Sequence, residues 1–183
     1  MSRVAEPPAR IAVLDYGIGN LRSAEKAFQH LGADATLTAD PEVIAAADGV
    51  VLPGVGAFGP CREALRRAGL DGPTLEAVAS GRPFLGICVG MQLLYDGSEE
   101  SPGVAGLGED PWVYFVHSYA AEATSDVIAT CDYGGPVTAA VQREQVFATQ
   151  FHPEKSGATG LAVLGNFVRL AAGARSVADR GRS

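Results

Sequence analysis

Long apolar runs are missing from this 183-residue chain. None reaches the length of a bilayer-spanning helix, and the first ten residues carry two prolines and a glutamate where a secretion signal needs an apolar stretch. Positive charge is scarce too. Lys and Arg total 14 against 21 Asp and Glu, a net charge of −7, and no stripe of basic and aromatic residues offsets it, which argues against nonspecific nucleic-acid binding. Cysteine is confined to Cys61, Cys88 and Cys131, an odd number without framework spacing, so a reduced compartment and a cytoplasmic location are expected. No cluster of His, Cys and carboxylates has metal-ligand spacing, and we expect neither a metal nor a cofactor. The glycine pair Gly17 and Gly19 lacks the third glycine of a dinucleotide loop. The Gly54-Val55-Gly56 turn has no Gly-Lys-Ser/Thr after it, which excludes a P-loop.

What is present suits one globular domain across residues 1–183, with 47% hydrophobic and 19% charged residues and enough length to bury a full core. The N-terminal arm covers 1–10, and residues 171–183, with scattered arginines, read as a frayed tail. Strands are predicted at 11–14, 35–38 and 48–52, with a helix running from Asn20, placed as its cap, to about Leu31 and a short helix from Pro41. This β-α-β-α-β order favours a parallel sheet with right-handed crossovers. Helices at 62–68 and 74–79 precede a strand at 83–87. Cys61 at a helix start and Cys131 within a strand read as small core residues. The second half is strand-like at 112–116, 126–131, 137–142 and 146–150, with Tyr133-Gly134-Gly135-Pro136 as a hairpin turn and a closing amphipathic helix at 161–170.

The chemistry gathers at Gly86-Ile87-Cys88-Val89-Gly90, which has the form of a nucleophile elbow, a strained strand-to-helix turn that lifts the reactive atom above the sheet edge. Side chains at Gly86 and Gly90 would strike neighbouring backbone. The turn also sets Cys88 at a helix N-terminus, where free N–H groups favour the thiolate. Downstream, Pro153 holds His152 out of helical geometry, and residues two apart in an extended segment face one side, so Glu154 can orient the imidazole that takes a proton from Cys88. A lone buried cysteine is more often packing, and a lone His-Pro-Glu more often a loop. Together, in this order, they read as a Cys88-His152-Glu154 triad. The turn at Gly54-Val55-Gly56, after a strand, lets backbone N–H groups approach a substrate as an oxyanion hole requires.

Gly86-Ile87-Cys88-Val89-Gly90-Met91-Gln92 with His152-Pro153-Glu154 resembles the triad-type glutamine amidotransferases. Asp15-Tyr16-Gly17-Ile18-Gly19-Asn20-Leu21, Leu52-Pro53-Gly54-Val55-Gly56-Ala57-Phe58 and Tyr114-Phe115-Val116-His117-Ser118-Tyr119 resemble, within that group, the glutaminase subunits of imidazole glycerol phosphate synthases. The resemblance covers the chain from Ile11 to about Leu170. It implies an α/β fold with an open, mostly parallel, flavodoxin-like sheet flanked by helices and antiparallel strands in the C-terminal half. It also implies hydrolysis of L-glutamine through a glutamyl thioester on Cys88, with His152 protonating the departing ammonia and Glu154 orienting it. Backbone N–H groups of Val89 and of Gly54, Val55 and Gly56 would hold the oxyanion, and Gln92, Ser118 and Tyr119 would grip the substrate, while His117 is structural. The implied partner is a (β/α)8-barrel cyclase in a heterodimer serving histidine biosynthesis.

One departure stands out: residues 103–111 run directly into Trp112, where the family carries a longer segment with a Pro-His-Met-Gly-Trp-Asn motif near its partner interface. Three rival readings stay open. The first is a glutaminase serving another acceptor synthase, such as that of vitamin B6; the second is a shortened, non-catalytic interaction module; the third is a thiol hydrolase of unrelated esters. The Asp15-Tyr16-Gly17 and His117-Ser118-Tyr119 runs speak against the first, and Gln92 with Ser118 and Tyr119 against the last.

Overall fold

The computed structural model describes residues 7–94, 113, 124–132 and 134–180. Among these residues seven strands form one sheet in the order β2-β1-β3-β4-β7-β6-β5. They are β1 (Arg10–Leu14), β2 (Asp34–Thr38), β3 (Gly49–Gly54), β4 (Phe84–Cys88), β5 (Val127–Asp132), β6 (Pro136–Arg143) and β7 (Val146–Thr149). The pairings of β1 with β2 and β3, of β3 with β4 and of β4 with β7 are parallel, whereas β6 runs antiparallel to both β5 and β7. The α/β class and the change to antiparallel pairing in the second half are as expected. So is the hairpin at 134–135; Tyr133 and the strand expected at 112–116 lie outside the described residues, Val113 excepted.

Burial explains which strands take the centre. Every residue of β3 and β4 is buried, as a parallel strand covered on both faces requires, while β2 and β5 at the edges are only partly buried. Cys131 therefore sits half-buried on an edge strand and is not the core residue expected of it.

Helices α1 (Leu21–His30), α2 (Pro41–Ala46), α3 (Phe58–Arg67), α4 (Asp71–Ala79), α5 (Val89–Gln92) and α6 (Gly157–Arg180) connect and flank the sheet. Helix α1 buries Leu21, Ala24 and Phe28, one stripe at helical spacing, and Phe28 meets Phe167 of α6 with ring centroids 5.9 Å apart. Asp40 starts α2 by accepting the Glu42 N–H at 2.9 Å, with Pro41 in the first turn. Several bounds differ from the sequence pattern: helices α3, α4 and α6 begin three or four residues earlier than expected. Helix α6 continues ten residues beyond Leu170, where the apolar stripe had ended it, and Ala171 is wholly buried against the position of a Gly49 side chain. The residues read as a frayed tail are thus helical as far as Arg180. Strand β3 likewise runs on through Pro53 and Gly54, which pair with Ile87 and Cys88. Among the described residues no helix is long and apolar enough to cross a membrane.

Candidate active site

Parallel pairing brings three chain segments to one edge. Gly54 ends β3 beside Cys88, the last residue of β4, and Ile87 pairs with Thr149 at the end of β7, so residues 150–154 emerge next to the nucleophile. This is the carboxyl edge at which open α/β sheets bind ligands.

The elbow has the expected strain. Cys88 sits at φ 55°, ψ −112°, a region that non-glycine residues rarely occupy and that persists where the surroundings impose it. The flanking glycines are sterically required. A Cβ on Gly90 would lie 1.8 Å from the Leu52 carbonyl oxygen, and one on Gly86 would lie 2.8 Å from the Gly90 carbonyl oxygen. Gly54 obeys the same constraint, since its Cβ would come within 2.7 Å of the Gly90 nitrogen. The oxyanion turn and the elbow therefore pack backbone against backbone. Helix α5 is a single turn, so its dipole contributes little to Cys88, and a charged side chain beside the sulfur would favour the thiolate more strongly.

His152 supplies that charge. Its Nδ1 lies 2.8 Å from Glu154 Oε1, which leaves Nε2 as the nitrogen for Cys88, with which the ring is hydrogen-bonded. Burial pulls the imidazole pKa down, but the hydrogen bonds to Cys88 and Glu154 and the negative charge of both outweigh it and push the value up to about 9. At neutral pH the ring is then a cation between two acceptors. The expected reach of Glu154 came from an extended segment. The backbone instead closes a 3-10 turn over Pro153–Lys155, and the carboxylate swings back onto the ring from inside it. The turn is pinned by Ser156 Oγ donating to the His152 carbonyl at 2.7 Å, and α6 approaches so closely that a Cβ on Gly160 would lie 1.9 Å from the Pro153 carbonyl oxygen.

Two residues here escaped the sequence reading. Asn20 makes no side-chain cap to α1; its Nδ2 instead donates to Glu154 Oε1 at 3.2 Å, across 134 residues of chain. Gln150, wholly buried, donates from Nε2 to Cys88 Sγ at 3.9 Å and accepts at Oε1 from Gln92 Nε2 at 3.3 Å. Gln92 is thus joined to the nucleophile through Gln150. No sequence signal marks Gln150, which reaches Cys88 only because Thr149 before it pairs with Ile87. His117, Ser118 and Tyr119 lie outside the described residues.

The sequence model of the family described as glutamine amidotransferase class-I matches residues 12–101 and 97–170. The chain belongs to the class-I glutamine amidotransferases. Among known members it is 45% identical, over 196 positions, to the imidazole glycerol phosphate synthase subunit HisH of Methanothermobacter thermautotrophicus, with 87% of this chain and 98% of that protein covered. The subunit of the same name from Salinibacter ruber is 44% identical over 203 positions, covering 86% and 93%. The chain is thus a relative of the HisH glutaminase subunits within the class-I amidotransferases. A solved structure of a glutamine amidotransferase shares its fold with a TM-score of 0.59 at 22% identity, over 88% of this chain and 98% of that one. Alignments of 196 and 203 positions exceed this chain's 183 residues, so both HisH proteins carry residues without a counterpart here. The two stretches of the class-I match meet at 97–101, beside the region that is short in the sequence.

Proposed function

We infer that the chain is a glutaminase: it hydrolyses L-glutamine to glutamate and ammonia and delivers the ammonia to a cyclase subunit for imidazole glycerol phosphate synthesis in histidine biosynthesis. The observation that carries the reading is the meeting of Cys88, His152 and Glu154 at the carboxyl edge of the sheet in a chain 45% identical to a HisH subunit. Relatives of that name favour the histidine-pathway acceptor over a vitamin B6 synthase.

In this reading Cys88 Sγ attacks the side-chain amide carbon of glutamine. The oxyanion is taken by backbone N–H groups of Val89 and of the Gly54-Val55-Gly56 turn, which lies against the elbow. The His152 imidazolium gives its proton to the departing ammonia, leaving a glutamyl thioester. The neutral ring then draws a proton from water, whose oxygen attacks the thioester carbonyl and releases glutamate from the Cys88 sulfur. Glu154 keeps the ring in register through both steps. Gln92, Ser118 and Tyr119 hold the amino-acid end of the substrate. The cyclase is a (β/α)8 barrel in a cytoplasmic heterodimer, with a sealed interface that keeps ammonia from being lost as ammonium.

The test is glutamate release by the chain mixed with a cyclase subunit, compared with its Cys88→Ala variant. Turnover that survives loss of the sulfur would rule out the nucleophile.

A further inference from the structure

Two buried side chains grip the oxyanion turn from beneath. The Tyr16 hydroxyl, two residues beyond β1, donates to the Pro53 carbonyl. The Cys61 thiol, in the first turn of α3, donates to the Val55 carbonyl at 3.1 Å. Tyr16 and Cys61 also lie close to each other, and both are buried. The hydroxyl also limits the turn sterically: it stands 3.0 Å from where a Gly54 side chain would begin.

A trans peptide unit is planar, with its C=O and N–H pointing in opposite directions. Holding the Pro53 carbonyl therefore orients the Gly54 N–H, and holding the Val55 carbonyl orients the Gly56 N–H. Strand β3 lies between β1 and β4. With the Pro53 carbonyl turned toward Tyr16 on the β1 side, the Gly54 N–H faces β4, where it serves the pairing of Gly54 with Cys88 and holds the root of the turn in the sheet. With the Val55 carbonyl turned down onto Cys61, the Gly56 N–H faces away from α3. Neither side chain belongs to the triad, although both lie near enough to Cys88 to feel its charge.

We propose that Tyr16 and Cys61 form a positioning pair that fixes the Gly54-Val55-Gly56 turn, Tyr16 by holding its root at the end of β3 and Cys61 by aiming the Gly56 N–H at the developing oxyanion. The proposal rests on the glutaminase reading and deepens it by naming what sets the oxyanion hole. A donor that is present but misaimed loses transition-state stabilisation without altering how glutamine is held, so the effect falls on kcat.

The experiment uses the chain in complex with a cyclase subunit, as wild type, Tyr16→Phe, Cys61→Ala and Cys61→Ser. Glutamate release gives kcat and KM for L-glutamine. Iodoacetamide labelling of Cys88, read by mass spectrometry of its peptide, reports the nucleophile alone, because displacement of iodide develops no oxyanion. Tyr16→Phe and Cys61→Ala are expected to lower kcat roughly tenfold or more, a fraction of the loss on deleting an oxyanion donor outright, with KM and the labelling rate within about twofold of wild type. Cys61→Ser, which keeps a donor, is expected to stay near wild type. Unchanged kcat in both donor-lacking variants would overturn the proposal, as would a parallel fall in labelling, which marks general collapse of the site. If Tyr16→Phe fails to fold, the contrast between Cys61→Ala and Cys61→Ser decides. A wild-type complex that releases no glutamate would defeat the glutaminase reading itself, an outcome distinct from failure of the positioning pair.

Discussion

Gly90→Ala isolates the contact on which the site's architecture turns. The added carbon would sit 1.8 Å from the Leu52 carbonyl oxygen and must move to about 3.0 Å before it is tolerated. No side-chain rotation can supply that displacement, because both partners are backbone. Leu52 is fully buried and paired to Gly86 in the sheet centre, so either β3 or the elbow must shift by roughly 1 Å against close packing. We expect a loss of roughly 3 kcal/mol or more, at the upper end of overpacking costs, and a fall in glutamate release on the order of 10²-fold from misplacing the nucleophile. Gly32→Ala is the control: its φ is +83° but nothing lies within 4 Å of the new carbon, so only backbone strain of about 1 kcal/mol is at stake. Urea unfolding of both variants, with glutamate release by the surviving folded protein, measures the difference. Should Gly90→Ala unfold within 1 kcal/mol of Gly32→Ala, the backbone-on-backbone account of the elbow is wrong.

The raised pKa of His152 makes a signed prediction. A proton bound more tightly in the folded state than in the unfolded one contributes stability that is fully present below about pH 6.5 and is lost as pH rises through about 9, on the order of 3 kcal/mol in all. Glutamate release should fall over the same alkaline limb as the donor for departing ammonia is lost, and Glu154→Gln should move that limb to lower pH; a limb unmoved in the variant counts against the Glu154 role. At the opposite end of the sheet, Asp48 accepts from Arg10 Nη2 at 2.7 Å and Nε at 3.2 Å and from the Arg10 backbone N–H at 2.8 Å. Burial alone would raise its carboxyl pKa, but these hydrogen bonds hold it below the ordinary value, so its contribution is present above about pH 4 and disappears as pH falls through the lowered value. Asp48→Asn should therefore cost roughly 1–2 kcal/mol at pH 7 and less at pH 3, as urea midpoints at the two pH values will report.

What could be read from the sequence was what local geometry dictates. The glycines at 86 and 90 mark a backbone crossing that no other residue survives, and the unbroken apolar runs of β3 and β4 reflect cover on both faces. What could not be read depends on the fold. Asn20 looks like a helix cap because capping is a local pattern, whereas its actual partner is 134 residues away and becomes available only once β1 and β7 reach the same sheet edge. Gln150 is an unremarkable polar residue until β7 docks beside β4 and buries it against Cys88. Alanine-rich residues 171–176 lack an apolar stripe to prolong α6, yet alanine is the best helix former and small enough to pack on Gly49. The Glu154 error has a similar cause: Pro153 excludes His152 from helix geometry but is itself a favoured first residue of the 3-10 turn that follows.

The same topology bears on the short region of the chain. Cys88, Gly54 and His152 are brought together by β3, β4 and β7, three adjacent strands whose pairing involves residues 49–54, 84–88 and 146–149. The shortened stretch lies between α5 and β5, and among the described residues the first strand after it, β5, is at the far edge of the sheet, two strands removed from β7. Loss of residues there need not disturb the triad, because a strand's docking on its neighbour depends on their own register and not on the length of a remote connection. By the resemblance drawn from the sequence, that segment would carry a motif near the partner interface, so its absence should weaken stimulation by the cyclase. Labelling of Cys88 by a glutamine-analogue chloroketone should therefore proceed at a rate comparable with that of a full-length HisH subunit, while the increase in glutamate release on adding cyclase should be smaller by tenfold or more. Labelling that fails while the chain remains folded would mean that the short region builds the glutamine pocket itself, and that three-strand pairing is insufficient to form it.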